Sequence, residues 1–224
     1  MSNIIKKYEY AVMATDTVLF ALDDGKLKIL LIKMNKKPFV DMWAVPGGLV
    51  RGDESVEVSA KRTLKEKTGV ANVFMEQLYT FGNVNRDPFG RVVSIAYMAL
   101  TPNIDMEIKT TKDHKEIGWF DVKDLPVLAY DHEKIVKTAV SRLSAKLEYT
   151  NIVFQLLSKE FTMNELQTAY EIIRGEKLDK RNFQKKILAL DLVKKLDKKT
   201  TGQAHRPANV CTAKHEGVVN VEIL

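Results

Sequence analysis

Gly48-Leu-Val-Arg-Gly-Asp-Glu54, followed after seven residues by Arg62-Thr-Leu-Lys-Glu66-Lys-Thr-Gly69-Val70, is the stretch on which the reading of this chain turns. Gly48 and Glu54 are separated by five residues, so a glycine-bearing loop runs straight into a helical pattern. Asp53 stands where a helix cap is expected, Val56, Ala60 and Leu64 recur at four-residue spacing, and Gly69 supplies a C-terminal stop. The pattern predicts a helix over 54–67 whose apolar stripe faces a core and whose charged residues stay near the loop.

Outward from this stretch the chain reads as strands. Segments 10–22 and 27–34 are apolar and flank Asp23-Asp24-Gly25-Lys26, in which Asp-Gly is a hairpin signal. Trp43-Ala-Val-Pro-Gly-Gly48 predicts one more short strand entering the glycine turn. Two further strands are expected over 73–84 and 91–100, joined by the turn-forming Asn85-Arg-Asp-Pro-Phe-Gly90, and another over 115–121. Residues 131–147 predict a helix capped by Asp131, with Ile135, Ala139, Leu143 and Leu147 on one stripe. Antiparallel strands mixed with two helices give an α+β class for residues 1–150.

The pattern changes near 148–151, which sets a second domain at 151–224. Thr162 is placed to cap a helix burying Leu166, Tyr170 and Ile173, and Gly175 ends it. Asp179 caps a second helix with Phe183, Ile187 and Leu190 on its apolar stripe. Strands over 192–196 and 208–212 then flank a basic loop, completing a winged helix-turn-helix plan. Lys180, Arg181 and Asn182 fall in the first turn of the second helix, the part of a recognition helix that meets base edges. Arg suits guanine and Asn suits adenine, while Lys185 and Lys186 suit phosphates. Gly202 permits a sharp turn in the basic loop, where His205 and Arg206 complete the candidate DNA-binding set.

Charge supports this division. The whole chain of 224 residues carries +6, but residues 1–150 hold 22 basic against 20 acidic side chains and residues 151–224 hold 13 against 9. Within 177–206 there are ten basic and three acidic residues, either a solvated lysine-rich face or a surface for a polyanion. An RNA-binding role is disfavoured by the lack of an aromatic set for stacking bases.

Composition bounds the rest. With 45% hydrophobic and 29% charged residues the chain is an ordinary globular one, and no apolar run reaches the ~20 residues that span a bilayer. Its first residues lack a signal-peptide pattern, which sets the expectation of a cytoplasmic protein with no membrane partner. The single Cys211 excludes an internal disulfide or Cys-based zinc site and is expected buried and inert in a strand. His114, His132, His205 and His215 share no metal-ligand spacing, so a structural or DNA-contacting role is expected. Trp43, Tyr79 and Phe81 are expected as core aromatics rather than ligand stackers.

The spacing quoted first resembles the Nudix box: glycine, five residues, glutamate, seven residues, then Arg-Glu-apolar-X-Glu-Glu-X-Gly-apolar. Gly48, Glu54, Arg62, Leu64, Glu66, Gly69 and Val70 match, while Thr63 and Lys67 replace glutamates. In active relatives these carboxylates hold divalent metal on a diphosphate. Lys67 instead places an ammonium next to Glu66, and at ~4 Å with an effective dielectric near 20 like charges repel by roughly 4 kcal/mol, which opposes Mg²⁺. Glu54 and Arg62 are then expected as a pair bracing the loop. No catalytic residue, metal or required cofactor is expected. Residual hydrolysis would fall to Glu54 and Glu66, with Glu66 the remaining metal candidate and Mg²⁺ needed only in that case.

Taken over nearly its whole length, the chain resembles the Nudix-related transcriptional regulators of NAD-biosynthesis operons, with a sister group in arabinose use. The resemblance includes Arg86-Asp-Pro-Phe-Gly-Arg91, Asp131-His132, Asp179-Lys-Arg-Asn-Phe183 and His205-Arg-Pro-Ala208. It implies a Nudix-fold, mixed-sheet α/β/α sandwich followed by a small winged helix. It also implies a homodimer on palindromic double-stranded operator DNA, acting as a repressor that senses ADP-ribose, a related nucleotide or a pentose such as arabinose. Gly48, Arg62, Glu66, Lys67, Arg86, Asp87 and Arg91 are the candidate effector-binding residues, since charge flanking a Pro-Gly loop near the box can hold a sugar-phosphate. The competing reading of that loop is a turn-stabilising ion pair. The competing reading of the whole is a Mg²⁺-dependent Nudix pyrophosphatase with an accessory basic domain. The tail after His215 matches no known pattern.

Overall fold

The computed structural model describes residues 10–109, 111–200 and 207–223. The expected hairpin forms: β1 (Val12–Asp23) turns into β2 (Lys26–Met34), with Asp23 opposite Lys26 and Phe20 opposite Ile29. Asp24 and Gly25 take φ of 49° and 69°, the pair of positive values that a two-residue turn needs to match strand twist. The single strand expected over 43–48 is instead split at Pro46, which has no amide N–H to give a ladder. β3 (Trp43–Ala44) pairs with β2 and β4 (Gly47–Leu49) pairs with β1.

β5 (Phe74–Phe81) and β6 (Val92–Leu100) are antiparallel, while β6 runs parallel to β1 from Val12↔Val92 to Phe20↔Leu100. β7 (His114–Asp121) adds to β2. The sheet has the order β3-β2-β1-β6-β5, with β4 on β1 and β7 on β2, so β1 is its central strand.

Alternation along β1 sends successive side chains to opposite layers. Val18 and Phe20, with Ile29 and Leu31 of β2, join the core containing Ile135, Ala139, Leu143 and Leu147 of α2 (His132–Tyr149). Leu19 and Leu30 join Leu64 of α1 (Val56–Thr68), Val70 and Ala99 in a separate cluster. A mixed sheet between two helical layers results.

Both helix starts differ from the sequence expectation. Ser55, not Asp53, caps α1, its Oγ accepting from the Val58 amide at 3.3 Å, and Glu54 is left free to pair with Arg62. Asp131 does precede α2, but its carboxylate caps nothing; it is taken by Arg86. Gly69 ends α1 at φ 78° as its stop signal requires.

The remainder forms a 3-10 turn (Ile152–Leu156), β8 (Phe161–Thr162), α3 (Met163–Arg174), α4 (Lys180–Ala189), β9 (Val193–Lys199) and β10 (Asn209–Ala213). Thr162 and Glu165 make a reciprocal capping box, with bonds of 3.1 and 2.6 Å, at the start of α3. Asp179 caps α4 through the Asn182 amide at 2.8 Å. Leu166, Tyr170 and Ile173 are buried with Phe183 and Ile187 of α4, whereas Leu190 ends that helix and is only partly buried. β8, β10 and β9 form the small sheet, and β9 runs to Lys199, beyond the expected 192–196. Cys211 is buried in β10, and burial pushes its thiol pKa up.

The tail with no recognised pattern has a definite seat. Val221 and Ile223 donate to the carbonyls of Tyr149 and Glu148, each at 2.8 Å, and Asn151 donates to the Val219 carbonyl at 3.2 Å. The Asn151 side chain accepts from the Val219 amide at 2.7 Å and donates to the Gly217 carbonyl at 3.1 Å. Ile223 is buried in the core that runs without a break from β1 through α2 to α3 and α4. No helix among the described residues is long and apolar enough to cross a membrane.

Candidate functional site

Asp16 is a buried carboxylate in the middle of the central strand. Its Oδ2 accepts from Ser94 Oγ at 2.6 Å and Arg86 Nη2 at 3.2 Å. Gly47 of β4 lies opposite it, and a Cβ there would stand 2.1 Å from Asp16 Oδ1 and 2.5 Å from the Thr15 carbonyl, so only glycine closes this wall. The Val45 amide donates to His132 Nδ1 at 3.1 Å, which leaves the ring proton on Nε2, 3.5 Å from Asp16 Oδ1. Burial holds the His132 pKa down, so the ring is a neutral strut.

Arg86 spans this wall. Its Nε and Nη2 bond the Asp131 carboxylate at 3.1 and 2.7 Å, and Nη2 also reaches Asp16. Burial opposes its charge, but the bond to Asp131 and the field of Asp16 outweigh that, and its pKa is raised. The ion pair expected near the Pro-Gly loop therefore exists, with partners far away in sequence instead of Asp87. The Asp87 carboxylate accepts from the Phe89 amide at 2.8 Å and shapes the loop. Arg91 donates to the carbonyls of Gly82 and Asn83 at 3.0 and 3.3 Å and has no carboxylate partner among the described residues.

These residues bound a cavity of about 490 Å³. Val12, Ala14, Ile32 and Met34 give it an apolar floor; Gly47, Gly48, Asp16, Lys67, Arg86, Arg91, Phe89 and Tyr130 line the rest. Lys67 of α1 enters it half-buried, and its Nζ makes no hydrogen bond or ion pair with any described residue. Burial lowers the Lys67 pKa, with the Asp16 charge opposing. A second cavity, of about 630 Å³, shares Arg86 and Tyr130 and adds Phe39, Phe81, Lys134 and Tyr79. Tyr79 is 58% exposed, not a core aromatic, and meets Phe81 edge-on at 5.4 Å.

The remaining box residues turn away from the cavity. Arg62 bonds Glu54 at 2.8 and 2.5 Å, Glu66 at 2.9 Å and the Leu49 carbonyl at 3.1 Å. These bonds, above all the Arg62 contact, hold the Glu54 carboxyl down at about 2. Glu66 is bonded by Arg62 and, at 3.3 Å, by Arg51, not by Lys67. Thr63 is buried, its hydroxyl on the Ala60 carbonyl, and its methyl is 3.0 Å from where a Gly48 Cβ would be. This donor set does not fit a divalent cation: two carboxylates are neutralised by arginine, and an ammonium enters the cavity. Among the described residues no group of three or more His, Cys, Asp or Glu is placed to hold one.

On the other part of the chain, Lys180, Arg181, Asn182, Lys185 and Lys186 are all exposed on α4, while Phe183 and Ile187 fix the opposite face. None of the four cations is in an ion pair with a described residue. β9 and β10 follow α4 as an antiparallel pair, with Lys198 of β9 pairing with Glu160. Gly202, His205 and Arg206, expected at the tip between these strands, lie outside the described residues.

A family profile for the NUDIX domain matches residues 13–141, and one for the NrtR DNA-binding winged helix domain matches residues 153–211. The ADPR responsive transcriptional repressor NtrR of Acinetobacter baylyi is 34% identical over 208 residues, covering 91% of this chain and 82% of its own. This chain belongs to the NrtR family. Shewanella oneidensis NrtR complexed with a 27mer DNA superposes with a TM-score of 0.80 at 34% identity, over 90% of this chain and 93% of that one. The NUDIX domain of the same protein complexed with ADP ribose matches at 33% identity and TM-score 0.57, over 61% of this chain and 90% of its own. An ADP-ribose pyrophosphatase of Methanocaldococcus jannaschii is 38% identical over 136 residues, 59% of this chain and 77% of its own.

Of the residues expected to bind an effector, Gly48, Lys67, Arg86, Asp87 and Arg91 line one cavity of this NrtR-family chain, whereas Arg62 and Glu66 do not. Helix geometry separates Glu66 from Lys67 by about 100° around the axis, so one faces solvent and the other the cavity. Sequence reasoning missed Asp16, Phe89 and Tyr130 as lining residues, and it expected a structural or DNA-contacting role for His132, which lines the same cavity. The available signal was Asp16 itself, a lone carboxylate in the apolar run Ala-Thr-Asp-Thr-Val-Leu-Phe.

Proposed function

We propose that this chain is an ADP-ribose-responsive transcriptional repressor, in which residues 1–150 sense the nucleotide and residues 151–224 bind operator DNA. The end-to-end likeness to a repressor of that description carries the reading. The site supports it, because a half-apolar cavity holding an unspent cation accompanies a helix with a free basic face. Gly48, Lys67, Asp16, Arg86, Asp87 and Arg91 frame the effector, and Lys180, Arg181, Asn182, Lys185 and Lys186 face DNA. The protein acts as a homodimer on a palindromic site.

The pyrophosphatase relative favours a second reading, hydrolysis of ADP-ribose. Against it stand the arginine-bound Glu54 and Glu66 and the ammonium of Lys67. In this reading of the site the Nudix part is catalytically silent, and no cofactor is needed.

A ligand switches DNA binding only if it binds the competent and incompetent arrangements unequally. Coupling is reciprocal, so ADP-ribose that releases DNA must bind the DNA-bound protein less tightly, by about 5–150-fold for a typical coupling. The experiment is fluorescence anisotropy on a duplex selected from random sequence by the protein, with and without ADP-ribose. Release by ADP-ribose is the expected result; equal DNA affinity at saturating ADP-ribose would refute the assignment.

A further inference from the structure

Five residues lining the cavity carry charge, Asp16, Lys67, Arg86, Asp87 and Arg91, and all but Lys67 are already hydrogen-bonded within the fold. Arg86 is shared between Asp131 and Asp16. Asp16 is held by Ser94 and Arg86 on one oxygen and faces the His132 N–H with the other. Lys67 differs. It has three N–H donors, no hydrogen bond or ion pair with a described residue, and a burial that lowers its pKa against the more distant charges of Asp16, Asp113 and Glu66. Cations withdrawn from water are usually paired, so a half-buried, unbonded one that opens into a cavity is placed to receive an anion.

Its place in α1 gives this a sharper meaning. Glu54 and Glu66, the box carboxylates that remain, are both bound to Arg62 and turned out of the cavity. Any divalent cation brought in with a diphosphate would meet an ammonium where it needs oxygen ligands. We infer that the cavity takes a diphosphate-bearing ligand free of divalent metal, with the Lys67 ammonium in direct contact with the diphosphate as its counter-charge. Gly48 lines the same cavity, where its missing Cβ leaves room for the Thr63 methyl of α1. Arg91, bonded only to carbonyls, adds another positive charge to the cavity lining.

The inference rests on the ADP-ribose reading, and the test separates the two. Calorimetry is run on the full chain with ADP-ribose and, separately, inorganic pyrophosphate, each in excess chelator and in millimolar Mg²⁺. The variants are Lys67→Met and Lys67→Arg, with thermal melting to confirm that both fold. ADP-ribose affinity should be unchanged by chelator. It should fall roughly 10- to 100-fold in Lys67→Met, the worth of a charge-assisted contact, and be restored in large part by Lys67→Arg. Binding that requires Mg²⁺, or that survives Lys67→Met intact, overturns the inference while leaving ADP-ribose as effector. Pyrophosphate bound without metal by the parent and lost in Lys67→Met, with no response to ADP-ribose, keeps the inference and removes the effector assignment. Failure of both probes to bind overturns both.

Discussion

Arg86 grips Asp131 through two nitrogens, at 3.1 and 2.7 Å, across 45 residues of chain. The carboxylate that by position would cap α2 is spent instead on fixing the 83–91 loop to the start of that helix. Because Arg86 is also bonded to Asp16, its removal leaves the buried Asp16 and the partly buried Asp131 without their shared cation. Arg86→Ala should therefore cost about 3–5 kcal/mol, the range for breaking a buried pair from one side. Urea unfolding monitored by tryptophan fluorescence reads this directly; a loss under about 1 kcal/mol, the size of an exposed pair, would show that the bridge is solvent-screened.

The Glu54–Arg62 pair makes a prediction about acid. Glu54 titrates at about 2 in the fold against 4.5 in its ordinary state. Between those values the unfolded chain binds more protons, so the pair's contribution is complete above pH 4.5 and vanishes as pH falls through about 2. Glu54→Gln should be less stable than the parent at neutral pH, and the gap should close on acidification. A gap that is constant from pH 6 down to about 2.5 would be incompatible with this linkage.

How much of this was legible in the sequence depends on how far apart the interacting residues lie. Asp24-Gly25, Thr162 with Glu165, Gly69 and Gly175 act within one turn of chain, and each element they set is where the pattern places it. The box spacing likewise locates α1 and the loop before it. The cavity wall is different, because Asp16, Arg86, Ser94 and His132 meet only through the parallel pairing of β1 with β6 and the docking of α2. Periodicity could say that Glu66 and Lys67 diverge, but not which of them would face the cavity. That follows from how α1 sits on the sheet.

On α4, Arg181 and Lys185 are one turn apart and both exposed, but they should fail differently. Arg181→Ala should weaken binding to the selected duplex by about 1–3 kcal/mol and relax base preference. Lys185→Ala should weaken all sequences alike and flatten the salt dependence. Gel-shift titrations at several salt concentrations distinguish the two, and parental binding by both variants would place the DNA elsewhere.

With Mg²⁺ or Mn²⁺ present, ADP-ribose should remain intact over hours, as judged by chromatography. Turnover above about 1 s⁻¹, within the ordinary enzyme range, that disappears in Glu66→Gln would establish a working hydrolase.

Asn151, almost fully buried, holds the tail through the Val219 amide and the Gly217 carbonyl. Asn151→Ala strands both groups and should cost about 1–3 kcal/mol. Hydrogen exchange should accelerate at Val219, which donates to the lost oxygen. Unchanged exchange there would mean that the tail is held by Ile223 and the backbone bonds at Glu148, Tyr149 and Asn151 without help from the Asn151 side chain.

That seat changes what the passage between the two parts of the chain is. Residues 148–151 are not a tether between independent bodies: an extended segment from the far end of the chain is hydrogen-bonded along them, and one apolar core continues beneath. A tether would transmit nothing but distance. A seam transmits angle, because turning one side without the other must tear its stitches or drag the cloth. Any message from the cavity to α4 then has to be a rigid-body displacement of packed elements, not the melting or ordering of a linker.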